Sequence, residues 1–403
     1  MKPAFAALLV AAAAPAARGQ IFADVSTSMG GFTIQLHHAE SPRTVANFIR
    51  LAEGSAPWVN PRTGRVHSND PFYDGIVFHR VIAGFMSQTG SPKGDGTDGP
   101  GYSFPDEVAN GLGHPGAHVV SMANSGPNTN GSQFFITAGA ASWLDGKHTV
   151  FGNVVAGQAV CDAINGVATD AANRPLAPVT IQSVAIRREG AAALAFDEHA
   201  PMLPAVTAPA VVLSHTPAAT ALHFPQPARS IASCHLSDDM QAWVGPVERF
   251  LDAAAAPAAA LDLTENVGDA PAAFIAASVV GYPADAVFPA SMGGRTLVST
   301  APGAGLVFTF VFDGAGGGMW SLVSPVLGGA ILDYINEPDP YGSDLIMLLD
   351  GISLPFVKLR LGIDGFSATH LTGRQAGSIA ETQENLGQPG LSIDLAGTFV
   401  LTR

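Results

Sequence analysis

A single arginine stands among apolar residues in the segment FHRVIAGFMSQTG, which spans residues 78–90. The same segment places Phe85, Met86 and Gln88 shortly after Arg80. Such a set could hold a fixed positive charge and an amide beside an apolar slot. Charged side chains are mostly exposed in proteins, so the alternative is a surface strand with Arg80 in solvent. The segment by itself leaves both interpretations open.

Strand geometry decides which of these side chains can meet. If residues 78–82 form a strand, Arg80 and His79 point to opposite faces. Gly84 then predicts a bulge or bend, since glycine within a strand often marks one. Phe85 is out of phase with Arg80 and joins its face only through such a kink. The resulting face would hold Arg80, Phe85, Met86 and Gln88.

Two later segments complete a recognisable pattern. They are VVSMANSGPNTNGSQFFIT at 119–137 and WLDGKHTVFG at 143–152. Together with FHRVIAGFMSQTG they resemble the cyclophilin family of peptidyl-prolyl isomerases, in the order and near the spacing of that family. The resemblance extends from about residue 22 to residue 188.

The resemblance implies a fold, an activity and a set of site residues. The implied fold is mainly β, an eight-stranded antiparallel β-barrel capped by two helices, and the implied enzyme is a peptidyl-prolyl cis-trans isomerase acting on X–Pro bonds. Matching positions imply a catalytic group of Arg80, Phe85, Gln88 and Phe135. They imply a substrate-binding group of Met86, Ala123, Asn124, Gln133, Trp143, Leu144 and His148. In this scheme Ala123 and Asn124 hold the peptide on the N-terminal side of the proline.

The sequence departs from the family pattern beside the implied pocket. Thr89-Gly90 replaces a pair of glycines, and residues 96–99 read GTDG in place of GTGG. These changes concern the preference for neighbouring substrate residues more than catalysis. Residues 54–70 form a long loop rich in Pro, Gly and Asn, which we interpret as a surface insertion, because loops accept length at little cost.

The implied reaction needs no metal or cofactor. The barrier to rotation of a peptide bond is about 18–20 kcal/mol and comes from conjugation. No covalent bond is made or broken during rotation, so no nucleophile or general base is required. We therefore predict that His148 is a contact residue and that His79 is structural. Asp145 is expected to shape a turn with Gly146.

Local signals predict the elements around the site. Residues 22–40 predict a hairpin with alternating apolar residues. Ser41, Pro42 and Gly54 mark the two ends of a first helix, at its N-cap, its first turn and its C-terminal stop. Residues 157–167 predict a second helix.

Composition limits the classes of partner. The chain has 403 residues, a formal net charge of −14 and only 13% charged residues. A nucleic-acid partner is not expected, because phosphate binding needs clustered Lys and Arg. The only cysteines are Cys161 and Cys234, and pairing and burial as free thiols are equally compatible with the sequence.

The first residues have the features of a secretory signal. Lys2 precedes a short apolar run, and small residues flank a cleavage position near Gly19. The run is too short to span a bilayer. We therefore expect residues 1–19 to be a signal peptide, the mature chain to have no membrane span, and the protein to be periplasmic, in the cell envelope or extracellular.

The remaining chain predicts further β modules after the isomerase domain at 20–190. Residues 191–215 are rich in Ala and Pro and indicate a linker, followed by a β-sandwich-like module at 216–282 and a β-rich module at 283–403. We expect the acidic run at 333–344 to be solvated rather than a calcium site. Trp243 and Trp320 are expected to pack in small cores, with binding of glycan or protein as the alternative.

Two functions stay open at this point. The first is an exported enzyme that speeds X–Pro isomerisation in client polypeptides. The second is an envelope scaffold or adhesion protein whose cyclophilin-like domain mainly binds Pro-containing segments. The resemblance also implies sensitivity to cyclosporin-type inhibitors, through Trp143.

Overall fold

The structure is a computed structural model, which describes residues 19–209 without a break. Beyond them it describes segments between residues 212 and 402, with gaps at 217–218, 226–229, 238–243, 252–257, 263–273, 282–291, 293–294, 314–316, 323–326, 340–341, 350–355, 367–369 and 381–391. The proposed signal peptide therefore lies outside the described residues, apart from Gly19.

The N-terminal unit is built mainly from ten short strands. They are β1 (Gln20–Thr27), β2 (Gly30–Leu36), β3 (Trp58–Val59), β4 (Val66–His67), β5 (Arg80–Ile82), β6 (Met86–Thr89), β7 (Val119–Met122), β8 (Phe134–Thr137), β9 (Val150–Ala156) and β10 (Ile181–Glu189). The hairpin expected within residues 22–40 is the β1–β2 pair, in which Val25 lies opposite Phe32.

Eight of these strands form one antiparallel sheet that curls on itself. Its order is β10-β1-β2-β9-β7-β8-β6-β5, and β3 pairs separately with β4. The two ends of the sheet meet just before β5, where Phe78 N donates to Val179 O at 2.9 Å and Val77 bridges Thr180. This arrangement matches the expected eight-stranded barrel.

Two helices pack against this sheet, as expected. α1 covers Pro42–Ala52, and α2 covers Gln158–Asn165. Gly54 follows the C-cap of α1 with φ +71°.

The start of α1 is stabilised from a distant loop. Ser41 occupies the N-cap position, but its hydroxyl donates to Val150 O instead of capping the helix. The carboxylate of Glu107 accepts the free helix-terminal N–H groups of Arg43 at 3.0 Å and Thr44 at 2.8 Å. A negative group at this end also complements the helix dipole.

Apolar residues from every wall of the unit fill its core. Phe48 from α1 packs against Tyr73, Phe134 and Phe151 with ring centroids 5.1–5.6 Å apart. The long loop at 54–70 also packs: the Trp58 ring stacks on His67 at 4.2 Å and is 8% exposed. It is therefore a folded part of the unit rather than a loose insertion.

The segment assigned to a linker begins as part of the N-terminal unit. A short helix, α3 (Ala191–Leu194), follows β10, and Ala193 is fully buried. Arg188 binds both Glu53 and Glu198, at 3.0 and 3.3 Å. Phe196 and Leu203 pack at the edge of the core. The domain limits themselves stay predictions.

The next strands form two antiparallel sheets. They are β11 (Ala205–Thr207), β12 (Val212–Thr216), β13 (Ala219–Pro225), β14 (Ser230–Ser237), β15 (Val244–Leu251), β16 (Ala258–Asp262) and β17 (Phe274–Gly281). The sheets have the orders β11-β17-β14-β15 and β12-β13-β16. The sheet that contains β14 touches the N-terminal unit through the buried His235. His235 lies so close to Gly64 that a Cβ added to this glycine would be 2.3 Å from Nδ1 of His235.

The last strands form a third, larger sheet around a separate core. They are β18 (Thr296–Ala301), β19 (Leu306–Phe312), β20 (Gly318–Leu322), β21 (Leu327–Asp339), β22 (Gly342–Leu349), β23 (Phe356–Phe366), β24 (His370–Ala380), β25 (Ser392–Asp394) and β26 (Gly397–Thr402). Strands β18 to β23 pair in chain order, and β26 pairs with both β18 and β24. The pairing of β24 with β23 closes the sheet, and β25 pairs with β24 alone. Phe308, Phe310 and Phe312 share one parity and are at most 1% exposed.

Several further expectations can be compared with the structure. Trp320 is 2% exposed and packs in the C-terminal core, whereas Trp243 lies outside the described residues. Cys161 and Cys234 are both buried and do not form a disulfide. Within the described residues, no helix is long and apolar enough to cross a membrane.

Candidate active site

Arg80 and Gln88 face each other across a tight hairpin. β5 and β6 are antiparallel, with Arg80 opposite Gln88 and Ile82 opposite Met86. The expected kinked single strand is therefore wrong: the chain reverses at Gly84, which adopts φ +73°. Antiparallel pairing puts directly opposite residues on the same face, so the arginine and the glutamine still meet.

A chain of hydrogen bonds leads inward from the exposed guanidinium of Arg80. Its Nη1 donates to Oε1 of Gln88 at 3.3 Å. Nε2 of Gln88 donates to Oε1 of Gln133 at 2.9 Å. Gln133 in turn donates to the carbonyl oxygens of Gly96 and Asp98, at 2.9 and 2.7 Å. Both predicted glutamines therefore orient the arginine from the loop behind it.

Asp98, part of the departure GTDG, holds that loop together. Its carboxylate accepts the hydroxyl of Ser91 and the backbone N–H of Lys93. Gly90, in the other departure, has φ +91°, and a Cβ there would lie 2.3 Å from Ser132 O. The sequence marked these positions only as departures, and their structural role was missed.

An apolar surface lies beside the arginine. Phe135 is opposite Gln88 in the β6–β8 ladder and is 4% exposed, and Met86 is 2% exposed. The Phe85 ring lies 5.5 Å from the ring of Trp143, which is 60% exposed. Arg80, Gln88 and Phe135 are therefore side by side on one face of the sheet. We call this face, with Met86, Phe85 and Trp143 near it, the slot.

The remaining predicted residues are Leu144, Ala123 and Asn124. Leu144 is half-buried in a short 3-10 helix, Ser142–Leu144. Ala123 N donates to Gln133 O at 3.0 Å. Asn124 Nδ2 donates to Lys147 O at 2.9 Å. Ala123 and Asn124 are both only half-buried, and both line a cavity next to them.

Two histidines near the site differ in position. The His148 ring lies 5.8 Å from the Phe135 ring, and its Nδ1 is 2.9 Å from Met122 O. Burial lowers the pKa of His148, although the bond to that carbonyl opposes the shift. His79 is 5% exposed on the side away from Arg80, and neither ring nitrogen has a hydrogen-bond partner within the described part of the chain.

A histidine–carboxylate pair supports the floor of the slot. The fully buried His114 stacks on Phe135 at 5.9 Å, and its Nδ1 and backbone N each lie 2.8 Å from Oδ1 of Asp145. The bond to the His114 side chain is the main cause of a lowered pKa at Asp145. The expected turn at Asp145 therefore also fixes His114, a residue that had no recognisable sequence signal.

A cavity of about 300 Å³ opens beside the slot, with Gln88, Ala123, Asn124 and Gln133 among its lining residues. Among the described residues, no group of three or more His, Cys, Asp or Glu side chains could hold a metal ion.

Comparison with known proteins agrees with this geometry. The family model described as cyclophilin type peptidyl-prolyl cis-trans isomerase/CLD matches residues 22–186. Peptidyl-prolyl cis-trans isomerase B of Streptomyces anulatus is 50% identical over 170 residues, which are 41% of this chain and 97% of the relative. The chain belongs to the cyclophilin family. Its isomerase domain catalyses cis-trans isomerisation of X–Pro peptide bonds.

Other cyclophilins cover the same part of the chain. Peptidyl-prolyl cis-trans isomerase A of Mycobacterium tuberculosis is 46% identical over 166 residues, 41% of this chain and 91% of the relative. A crystal structure of a Cryptosporidium parvum cyclophilin is 28% identical with a TM-score of 0.37, covering 42% of this chain and 98% of that one. The matched family model does not extend into the β-rich C-terminal half.

Proposed function

We propose that Arg80 is the residue through which this cyclophilin accelerates rotation about the X–Pro bond. Rotation removes conjugation, so the prolyl nitrogen becomes pyramidal and gains a lone pair. A permanently charged donor aimed at that nitrogen stabilises the twisted state more than either planar state. The bond from Arg80 to Gln88, which lies between Arg80 and Phe135 in the sheet, supports this role most directly.

The apolar residues have a second task in this proposal. Phe85, Met86, Phe135 and Leu144 grip the pyrrolidine ring and exclude water. A dry slot lowers the local dielectric constant, which strengthens the hydrogen bond from the guanidinium. Trp143 and His148 provide the rim, and no acid or base is needed.

Two pairs of polar residues have separate tasks while the X–Pro bond rotates. Ala123 and Asn124 bind the chain on the N-terminal side of the proline. Gln88 and Gln133 keep Arg80 oriented through their shared hydrogen bond. Fixing one side of the peptide bond while the other rotates lowers the entropic part of the barrier.

Replacement of Arg80 tests the central role. We expect Arg80→Ala to lower kcat/KM on a short X–Pro peptide by about a hundredfold or more, the size of effect seen when a transition-state donor is removed. Arg80→Lys should recover only part of the loss, because an ammonium lacks the planar fork.

The matched control is Arg62→Ala, an exposed arginine that donates to Lys93 O. Its kcat/KM should stay near the wild-type value. A folded Arg80→Ala protein with near-normal kcat/KM would remove the role assigned to Arg80.

For the biological role, we favour an exported enzyme that assists the folding of client proteins. Support comes from the signal-like N-terminal residues and from the complete set of pocket residues. The alternative is an envelope scaffold that mainly binds Pro-containing segments. An isomerisation assay separates the two: rapid turnover supports the enzyme, and tight binding without acceleration supports the scaffold. Fractionation of the native host tests export.

Inhibition by cyclosporin is a second proposal for the same site. The exposed Trp143 lies beside Phe85 at the rim, where a large apolar ligand could contact it. We expect cyclosporin to inhibit the isomerase and Trp143→Ala to weaken inhibition at least tenfold. A titration without inhibition up to high micromolar drug would contradict the proposal.

A further inference from the structure

The C-terminal sheet lies against the rim of the isomerase site and encloses a second cleft there. Its volume is about 520 Å³. Asn124, Gly126, Pro127, Asp145, Gly146, Lys147 and His148 line it from the isomerase side, and Arg374, Gln375, Ala376, Asp394, Ala396 and Gly397 line it from the C-terminal sheet. Asn124 and His148 also belong to the proposed substrate site, so the cleft begins where that site ends.

Two arginines on neighbouring strands hold the sheet in this place. Arg374, on β24, pairs with the fully buried carboxylate of Asp106 at 3.0 Å. Arg360, on β23, is 6% exposed, and its Nε donates to Pro127 O at 3.4 Å. A buried carboxylate is costly unless it is paired, so the ion pair favours the docked position of the sheet.

The same carboxylate organises the isomerase side of the cleft. Asp106 accepts the backbone N–H of Asn128 at 2.9 Å and the side-chain amide of Asn130 at 2.6 Å. The amide of Asn124 lies 3.5 Å from it. The residues that bind Arg374 are therefore directly connected to the substrate-binding edge.

The lining of the cleft suits an extended polypeptide. Small residues on both walls, among them Gly126, Gly146 and Ala396, let a backbone approach closely. Charged groups of both signs line the cleft and can meet polar side chains and peptide groups. Lys147 and Asp394 are among them, together with Arg374, which also pairs with Asp106, and Asp145, which also pairs with His114.

We propose that the C-terminal sheet extends the substrate groove, and that client residues several positions before the isomerising proline bind in this cleft. The direction rests on the proposed function, in which Asn124 holds the chain on the N-terminal side of the proline. The C-terminal half would then contribute to the choice of client rather than act as a separate module.

The test compares three peptides with the full-length chain. One is a short blocked peptide with two residues before the proline, one adds six polar residues at its N-terminal end, and one adds the same six at its C-terminal end. Exchange measured by NMR gives kcat/KM for each. We expect the N-terminal extension to raise kcat/KM at least threefold, mainly through a lower KM, and the C-terminal extension to have no such effect.

Variants then assign the gain to the cleft. Arg374→Ala removes the ion pair, and Ala396→Trp fills the cleft. Both should bring kcat/KM for the N-terminally extended peptide, divided by kcat/KM for the short peptide, to a ratio near one. Lys358→Ala is the matched control, since Lys358 is exposed on the same strand as Arg360 with the same parity. It should keep the wild-type ratio.

The outcomes separate this inference from the proposed function. A wild-type chain that fails to accelerate even the short peptide would contradict the proposed function. Two outcomes would overturn the cleft proposal alone. One is a wild-type chain with normal activity on the short peptide and no higher kcat/KM on the N-terminally extended peptide. The other is a gain in kcat/KM on the extended peptide that Ala396→Trp leaves unchanged. If Arg374→Ala unfolds the protein, Ala396→Trp decides the matter.

Discussion

Arg80 shows how a charge can be exposed and still be directed at a site. Its guanidinium reaches solvent, as the surface-strand interpretation required, but its bond to Gln88 turns it toward Phe135. An arginine that is already held in place loses less conformational freedom when its partner forms during the reaction. The two interpretations of the sequence were therefore not exclusive.

His79 is the histidine whose environment gives the clearest prediction for stability. Burial is the main cause that lowers its pKa from 6.5 to about 4, opposed by Asp95 and aided by Arg174 and Arg80. Between about pH 6.5 and pH 4, the unfolded chain therefore binds a proton at His79 that the folded chain does not bind. The stabilising contribution is complete above pH 6.5 and is lost as the pH falls toward 4.

We expect His79→Gln to reduce the acid sensitivity of the fold. Going from pH 7 to pH 5, the free energy of unfolding of the wild type should fall by up to ~2 kcal/mol more than that of the variant. Urea unfolding at both pH values measures this difference. Replacement of the exposed His199 serves as the control. An equal fall in wild type and His79→Gln would show that His79 does not titrate in this way.

Among the elements, α1 illustrates a cap supplied by tertiary structure. The sequence placed Ser41 at the N-cap correctly, yet the N–H groups of Arg43 and Thr44 donate to Glu107, more than fifty residues later. The hydroxyl of Ser41 donates to Val150 O instead, joining the helix to β9. The residue preferences of helix ends thus predicted where α1 begins, whereas tertiary packing determined which acceptor its first N–H groups bind.

Removal of this cap should destabilise the isomerase domain. We expect Glu107→Ala to lower the free energy of unfolding by about 1–2 kcal/mol, since it leaves two helix-terminal N–H groups and the Thr44 hydroxyl without this acceptor. Thermal unfolding checks the value. Glu40→Ala, an exposed glutamate just before the helix, should change stability by less than ~0.5 kcal/mol. Equal effects of the two substitutions would argue against the capping role.

The β5–β6 hairpin shows why strand parity was insufficient. Alternation correctly separated His79 from Arg80, but it treated residues 78–90 as one bent strand. Reversal at Gly84 puts Arg80 opposite Gln88, a relation that depends on which strands pair rather than on spacing along the chain. Alternation of side chains with a period of two residues cannot distinguish a kinked strand from two strands joined by a tight turn.

Among the described residues of the whole molecule, two hydrophobic cores share no residue. One fills the isomerase unit around Phe48 and Phe134, and the other fills the closed C-terminal sheet around Phe308 and Phe310. The contacts between them include the polar pairs made by Arg374. Units joined in this way usually unfold separately.

We therefore expect calorimetry of the full chain to show at least two unfolding transitions. Arg374→Ala, which weakens the contact, should move the transitions without merging them. Deletion of residues 283–403 should remove one transition and leave the isomerase transition in place. A single transition with equal calorimetric and van't Hoff enthalpies would mean that the two cores unfold as one unit.

The family, the mainly β fold and the reaction followed from residues 78–90, 119–137 and 143–152, because these segments carry the pocket's chemistry in local motifs. The eleven candidate site residues were predicted from these segments, and their roles stay predictions. Other features required the folded chain: the hairpin at Gly84, the Glu107 cap, the His114–Asp145 pair and the cleft closed by Arg374. Each joins residues that are distant in sequence or separated by a chain reversal, and such contacts depend on strand pairing and packing rather than on any local pattern.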